Sequence, residues 1–234
     1  MFNDVIRRKE IKYILSSEQY NALIKKISDK LAEDEYYKST ICNIYFDTIH
    51  DDLIIKSIEK PKYKEKIRLR SYVIPKLDTE VFLEIKKKLK GEVSKRRIKL
   101  KLKDFYDYIE TGNLKSKNEQ IKKELDYSFK YYKLEPRIYL AYDRLSYYDK
   151  DNVNFRITFD KDIRSRKDDL RLENGDKGDL LFEDGSVIME TKTLGSYPMW
   201  FVKVLSELKI YPQSFSKYGS IYLKNLLMEE EDYV

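Results

Sequence analysis

The chain has 234 residues, with 47 Lys+Arg against 41 Asp+Glu, a formal charge of +6 and 41% hydrophobic residues. That apolar content supports a packed core and excludes intrinsic disorder, and no apolar run approaches the ~20 residues of a membrane span. A single cysteine, Cys42, and a single histidine, His50, exclude an internal disulfide framework, a Cys-cluster zinc site and a multi-histidine metal site.

In chain order, short strands alternate with helices. Lys9–Leu15 reads as a strand. Ser16, with Gln19 three residues on, starts a helix through a capping box. Tyr20, Leu23, Ile24, Ile27 and Leu31 carry that helix to about Leu31 at helical spacing. Ser39–Asp47, Lys64–Val73, Glu80–Lys88 and Lys95–Leu102 read as strands, the last two joined by a turn over 89–94. Asp104–Thr111 and Ser116–Tyr132 read as helices. Arg137–Tyr148, Asn154–Asp160 and Val187–Thr193 return to strand, with loops or a hairpin over 165–186. Pro198–Leu208 and Ser216–Met228 are the closing helices. The pattern predicts an α+β fold, a large antiparallel sheet or barrel with peripheral helices. It also predicts a single domain over 1–228 and an acidic tail over 229–234. No apolar N-terminal leader is present, which predicts a cytoplasmic protein.

Glycine is scarce, at seven residues, and neither GxxxxGK[ST] nor GxGxxG occurs. Any phosphate would have to be held by side chains. Strand side chains alternate between faces, and sorting by parity gives a consistent charged face. Glu10 and Lys12 share it on the first strand; Lys66, Arg68 and Arg70 on the next charged strand. Glu84, Lys86 and Lys88 follow, then Lys95, Arg97, Lys99 and Lys101, then Arg156 and Asp160, then Glu190 and Lys192. An antiparallel sheet with one solvated face would also be charged. This face, however, is heavily cationic and dense in Arg, which suits bidentate phosphate binding. Isolated carboxylates (Glu10, Glu84, Glu190) recur within it, and carboxylate plus phosphate oxygens suffice for Mg²⁺ or Mn²⁺. Phosphoryl chemistry fits, because neutralising charge and positioning supply most of its rate.

At these residues the sequence resembles the VTC domain, named for the vacuolar transporter chaperone complex, within the triphosphate tunnel metalloenzyme superfamily. The segments that carry the resemblance are RRKEIKYIL, NIYFDT, KIRLRSY, FLEIKKKLKGEVSKRRI, YLAYDRLSYY, FRITFDKDIRS, VIMETKT and QSFSKYGSIY, in order along most of the chain. The resemblance implies an eight-stranded antiparallel β-barrel, the triphosphate tunnel, with peripheral and terminal helices. It implies a polyphosphate polymerase that transfers the ATP γ-phosphate to a growing inorganic polyphosphate chain and releases ADP, with Mn²⁺ or Mg²⁺. It places Lys12, Arg68, Arg70, Lys86, Arg144 and Arg156 as catalytic residues. Lys95, Arg97, Ser216 and Lys217 are implied to bind substrate and Glu190 to bind metal; the charged face adds Lys192 for substrate and Glu10 and Glu84 for metal. The partners implied are ATP and inorganic polyphosphate, with no nucleic acid and no membrane segment, although a membrane partner is compatible with this reading. Hydrolytic tunnel enzymes begin ExExK; here Arg8, Glu10 and Lys12 stand at those positions, which favours polymerase over hydrolase. An inorganic triphosphatase or polyphosphatase, and a non-catalytic polyphosphate-binding module, are the alternatives. Cys42, Trp200 and the tyrosine pairs 36–37 and 147–148 are read as packing residues.

Overall fold

The computed structural model describes residues 9–59 and 61–231, so Arg8 and residues 232–234 lie outside the described residues. Its elements are β1 (Lys9–Leu15), α1 (Ser17–Ile27), β2 (Leu31–Asp47), α2 (Asp52–Ile58), β3 (Tyr63–Ser71), β4 (Glu80–Leu89) and β5 (Glu92–Lys101). Then follow α3 (Leu102–Thr111), α4 (Glu119–Tyr132), β6 (Glu135–Asp149), β7 (Asn152–Arg166), β8 (Asp179–Leu180), β9 (Val187–Thr193), α5 (Met199–Glu207) and α6 (Lys217–Glu231). The strands are hydrogen-bonded in the order β1-β9-β7-β6-β2-β3-β4-β5, with β8 added to β7. The pairs β1/β9, β7/β9, β2/β3, β3/β4 and β4/β5 are antiparallel. The class is α+β, as the alternation of elements predicts.

Two compact units partition the chain. One comprises the residues up to Ser39, Tyr142–Ile163 and Phe182–Ser216; the other comprises Thr40–Ala141, Arg164–Leu181 and the residues from Lys217. Strands β2, β6 and β7 are long and contribute residues to both units. The first unit packs Tyr13, Leu15, Leu23, Ile27, Phe155, Phe159, Met189 and Phe201 into one apolar core. These are odd positions of β1, β7 and β9, opposite the charged parity, joined by the apolar stripe of α1 and by Phe201 of α5. Trp200 packs edge-on to Phe155 and Phe201, and Cys42 is buried, as the sequence suggests. The second unit packs Ile44, Phe46, Ile67, Leu69, Leu83, Ile85, Ile98 and Leu100 with Phe105, Leu125 and Phe129 of α3 and α4.

Several boundaries differ from the sequence reading for identifiable reasons. The capping box at Ser16 and Gln19 forms, but α1 stops at Ile27 and a 3₁₀ turn, Ser28–Lys30, leads straight into β2. Leu31 is buried as the first residue of a strand, so its helical spacing from Ile27 is coincidental. The polar run that follows, AEDEYYK, hides the first half of β2 from any period-2 pattern. Helix α2 carries no cap of its own: Asp51 at its N-cap is left-handed and makes no side-chain cap bond. Instead Asp47, upstream in β2, accepts from Leu53 N and Ile54 N at 2.8 and 2.9 Å. The turn between β4 and β5 needs only Lys90 and Gly91, both at positive φ, as a two-residue hairpin requires. At the end of the chain, α6 continues through Glu231, past Met228.

Candidate phosphate-binding site

Two groups of charged side chains are assembled, one in each unit. In the unit built on β3–β5, cross-strand register sets the group. Tyr45 of β2 stands opposite Arg68, Arg68 opposite Glu84, and Glu84 opposite Arg97. One step along, Asn43, Arg70, Phe82 and Lys99 form the next row, and on the other side Lys66, Lys86 and Lys95 form a third. Cross-strand partners project to the same face, so the three rows make one polar surface.

Glu84 is its centre. It is 1% exposed. Arg68 Nε donates to its Oε2 at 2.8 Å, and Arg68 Nη2 lies 2.7 Å from the same oxygen. Arg70 Nε lies 3.9 Å from Oε2, and Lys95 Nζ 3.0 Å from Oε1. Burial alone would raise this carboxyl's pKa; Arg68, Arg70 and Lys95 overcome it and hold the group at about 2. Arg68 also donates through Nη1 to the Tyr45 hydroxyl at 3.0 Å, and Arg70 through Nε to Asn43 Oδ1 at 3.0 Å. Both guanidinium groups are therefore fixed in orientation before any anion arrives. Lys86 and Arg97 are exposed, with Arg97 lying 4.5 Å over the Phe82 ring. Lys217 opens α6 and is half-buried.

The other unit gathers Lys12, Glu10, Glu190, Lys192 and Arg144. Register places Lys12 opposite Glu190 and Glu10 opposite Lys192. Glu190 is 8% exposed; its Oε1 lies 2.8 Å from Lys192 Nζ and its Oε2 4.0 Å from Lys12 Nζ. Burial pushes its pKa up, but Lys192, Lys12 and Arg144 pull it well below the usual carboxylate range. Arg144 makes a two-pronged contact with Asp160, Nε to Oδ1 at 2.6 Å and Nη2 to Oδ2 at 2.8 Å. Burial would lower the Arg144 pKa; Tyr142, Asp160 and Glu190 raise it further above its ordinary value, so the guanidinium stays charged. Lys12 Nζ donates to Phe215 O, and Gln213 N donates to Lys12 O, which ties the residues before Ser216 to β1. Arg156 is exposed and pairs with Asp34 at 3.3 Å. Ser216 is half-buried at the start of α6.

Among the described residues, no group of three or more His, Cys, Asp and Glu comes together to hold a metal ion. Glu190 nevertheless offers a buried, ionised carboxylate. One such ligand fits Mg²⁺ or Mn²⁺ when phosphates and water fill the remaining positions. Glu10 is exposed, with Lys192 between it and Glu190 in register. Glu84 has cations against both oxygens, which suits ordering guanidinium groups.

Sequence reasoning missed Tyr45 and Asn43 as members of these groups, and it placed Lys66 and Asp160 on the charged face without giving either a role. Asn43 and Tyr45 share a parity within NIYFDT, but nothing local says that this parity faces Arg68 and Arg70; the β2–β3 register does.

Residues 7–224 match the model of the VTC domain. A solved structure of a candidate adenylate cyclase from Bacillus halodurans is similar in fold, with a TM-score of 0.55 and 15% identity, over 89% of this chain and 95% of that one. A second, from Vibrio parahaemolyticus, gives 0.51 and 10%, over 92% and 97%. No curated protein matches the sequence.

Proposed function

The chain belongs to the VTC domain family, and from that premise we propose that it is a metal-dependent polyphosphate polymerase. It transfers the γ-phosphate of ATP to the end of an inorganic polyphosphate chain and releases ADP. In this reading the chain works as one domain over 1–228, and the charged face of each unit binds phosphate.

The observation that carries the proposal is the row Lys66, Lys86 and Lys95, three lysines directly opposite one another on β3, β4 and β5. Like charges in cross-strand register oppose folding. Glu84 offsets Lys95 at one end of the row, and a bound polyanion would offset the row as a whole. Together with the Arg68–Glu84–Arg97 row and the Lys12–Lys192–Arg144 group, the three lysines provide more cationic positions than one triphosphate engages. A surplus of weak phosphate sites suits a chain that advances one unit at a time.

Within this reading Arg68 and Arg70 bind non-bridging phosphate oxygens, their guanidinium planes oriented by Glu84, Tyr45 and Asn43. Their charge balances the oxygens as the phosphoryl group passes to the terminal oxygen of the chain. Lys12, Arg144 and Arg156 neutralise the phosphates on the other unit, and Lys86, Lys95, Arg97, Lys192, Ser216 and Lys217 hold donor nucleotide and polymer. Glu190 would hold the metal, which when bound adds charge neutralisation at the phosphoryl oxygens. Glu84 serves to orient Arg68. The test is incubation of the purified protein with ATP and Mn²⁺. Long-chain polyphosphate with equivalent ADP is expected. Phosphate release from ATP or tripolyphosphate, with no polymer, would instead indicate a hydrolase on the same scaffold.

A further inference from the structure

Tyr45 is 7% exposed and lies on the cationic face opposite Arg68. Its ring stacks on Tyr218 of α6, with centroids 4.7 Å apart and an interplanar angle of 29°. Tyr218 is itself anchored, donating its hydroxyl to Asp47 Oδ2 at 3.2 Å. The ring is therefore clamped and the Tyr45 oxygen has a fixed position. That oxygen accepts one hydrogen bond, from Arg68 Nη1 at 3.0 Å. Among the described residues its own proton has no acceptor. A buried O–H without an acceptor costs roughly 1–3 kcal/mol. The titratable and charged groups that face it are Arg68, Arg70 and Lys66 on β3 and Tyr218 on α6. The three basic groups have only donors to offer, and Tyr218 already directs its own proton to Asp47. The surroundings thus lack the one thing the hydroxyl needs, and an anionic oxygen would supply it.

We propose that the Tyr45 hydroxyl contacts substrate, donating a hydrogen bond to a non-bridging phosphate oxygen held at the same time by Arg68. This deepens the phosphate-binding reading of the face and rests on it. The inference also explains the geometry of Arg68: accepting from Nη1 while donating to the same phosphate lets the phenol fix guanidinium and anion together. A consequence is a pH limit. Burial raises the Tyr45 pKa, but Arg68, Arg70 and Lys66 outweigh it and bring the phenol down to about 8. Above that pH the hydroxyl is a phenolate. It can no longer donate, and it competes with phosphate for Arg68.

The experiment is calorimetric titration of metal-free tripolyphosphate into wild type and Tyr45→Phe at pH 7 and pH 9. Phe keeps the ring stacked on Tyr218 and removes only the oxygen. At pH 7 the variant should bind about tenfold more weakly, about 1.4 kcal/mol. At pH 9 the difference should vanish or reverse, and since the ligand's own titration is common to both proteins, the ratio is the readout. Equal affinities at pH 7 would overturn the role of Tyr45, whereas a wild type that binds no tripolyphosphate would overturn the phosphate-binding reading itself. A second measurement needs no variant: absorbance at 295 nm should report one tyrosine ionising near pH 8. Saturating tripolyphosphate should move that midpoint up by about one pH unit, because anion binding favours the protonated form. A midpoint that does not move contradicts the proposal.

Discussion

Arg68 and Glu84 face each other across β3 and β4, and two guanidinium nitrogens of Arg68 reach a single carboxylate oxygen at 2.7 and 2.8 Å. The pair is buried on the carboxylate side, where Glu84 is 1% exposed. The same carboxylate lies near Arg70 and Lys95. One negative charge thus stabilises three positive ones in the absence of substrate.

Glu84→Gln should therefore destabilise the fold by an amount on the order of 3 kcal/mol, since it leaves the buried Arg70 and the half-buried Arg68 without their counter-charge. Tripolyphosphate should restore more thermal stability to the variant than to wild type, because the anion replaces the missing charge. Thermal unfolding with and without tripolyphosphate checks this. Equal stabilisation of both proteins would refute it.

The pH dependence of stability follows from the same group. The Glu84 pKa is depressed from 4.5 to about 2 in the fold. A depressed carboxyl contributes stability that is complete above its unfolded pKa and lost as pH falls toward the folded one. Wild type should lose stability between about pH 4.5 and pH 2, and Glu84→Gln should lose less over that window. Denaturant titrations at pH 5, 4 and 3 measure it; parallel losses would show that Glu84 contributes nothing.

Much of this arrangement is legible in the sequence, and the reason is periodicity. Alternation within β1, β3, β4, β5 and β9 places Lys12, Arg68, Arg70, Glu84, Lys95, Arg97, Glu190 and Lys192 each on the charged face of its strand, and the strand registers bring charged positions opposite one another. What alternation cannot supply is register. That Tyr45 meets Arg68, or that Asp160 takes both prongs of Arg144, depends on which residues lie opposite or near one another in space. The first half of β2 and helix α2 were illegible for a related reason. Helix α2 is capped by Asp47, the last residue of β2, and not by the residue at its own N-cap, and the polar first half of β2 carries no alternation to read.

Arg144→Lys tests the two-pronged contact with Asp160. Asp160 is fully buried, and an ammonium keeps the charge but cannot match both oxygens. Turnover should fall at least about tenfold while the protein remains folded by circular dichroism. Wild-type turnover in this variant would remove Arg144 from the catalytic group.

Glu190→Gln should retain nucleotide binding and lose most turnover, because a neutral amide replaces an anionic ligand to a hard cation while the surrounding lysines still hold phosphate. Equilibrium binding of ATP and initial rates over a Mn²⁺ series separate the two effects. Undiminished rates at every Mn²⁺ concentration would exclude Glu190 as the essential ligand.

The most direct test of the polymerase reading follows the γ-phosphate itself. With γ-labelled ATP and Mn²⁺, the label recovered in acid-insoluble polyphosphate should equal the ADP formed at early times, with free phosphate a minor product. Label appearing stoichiometrically as free phosphate, with no polymer under Mn²⁺ or Mg²⁺, would contradict it.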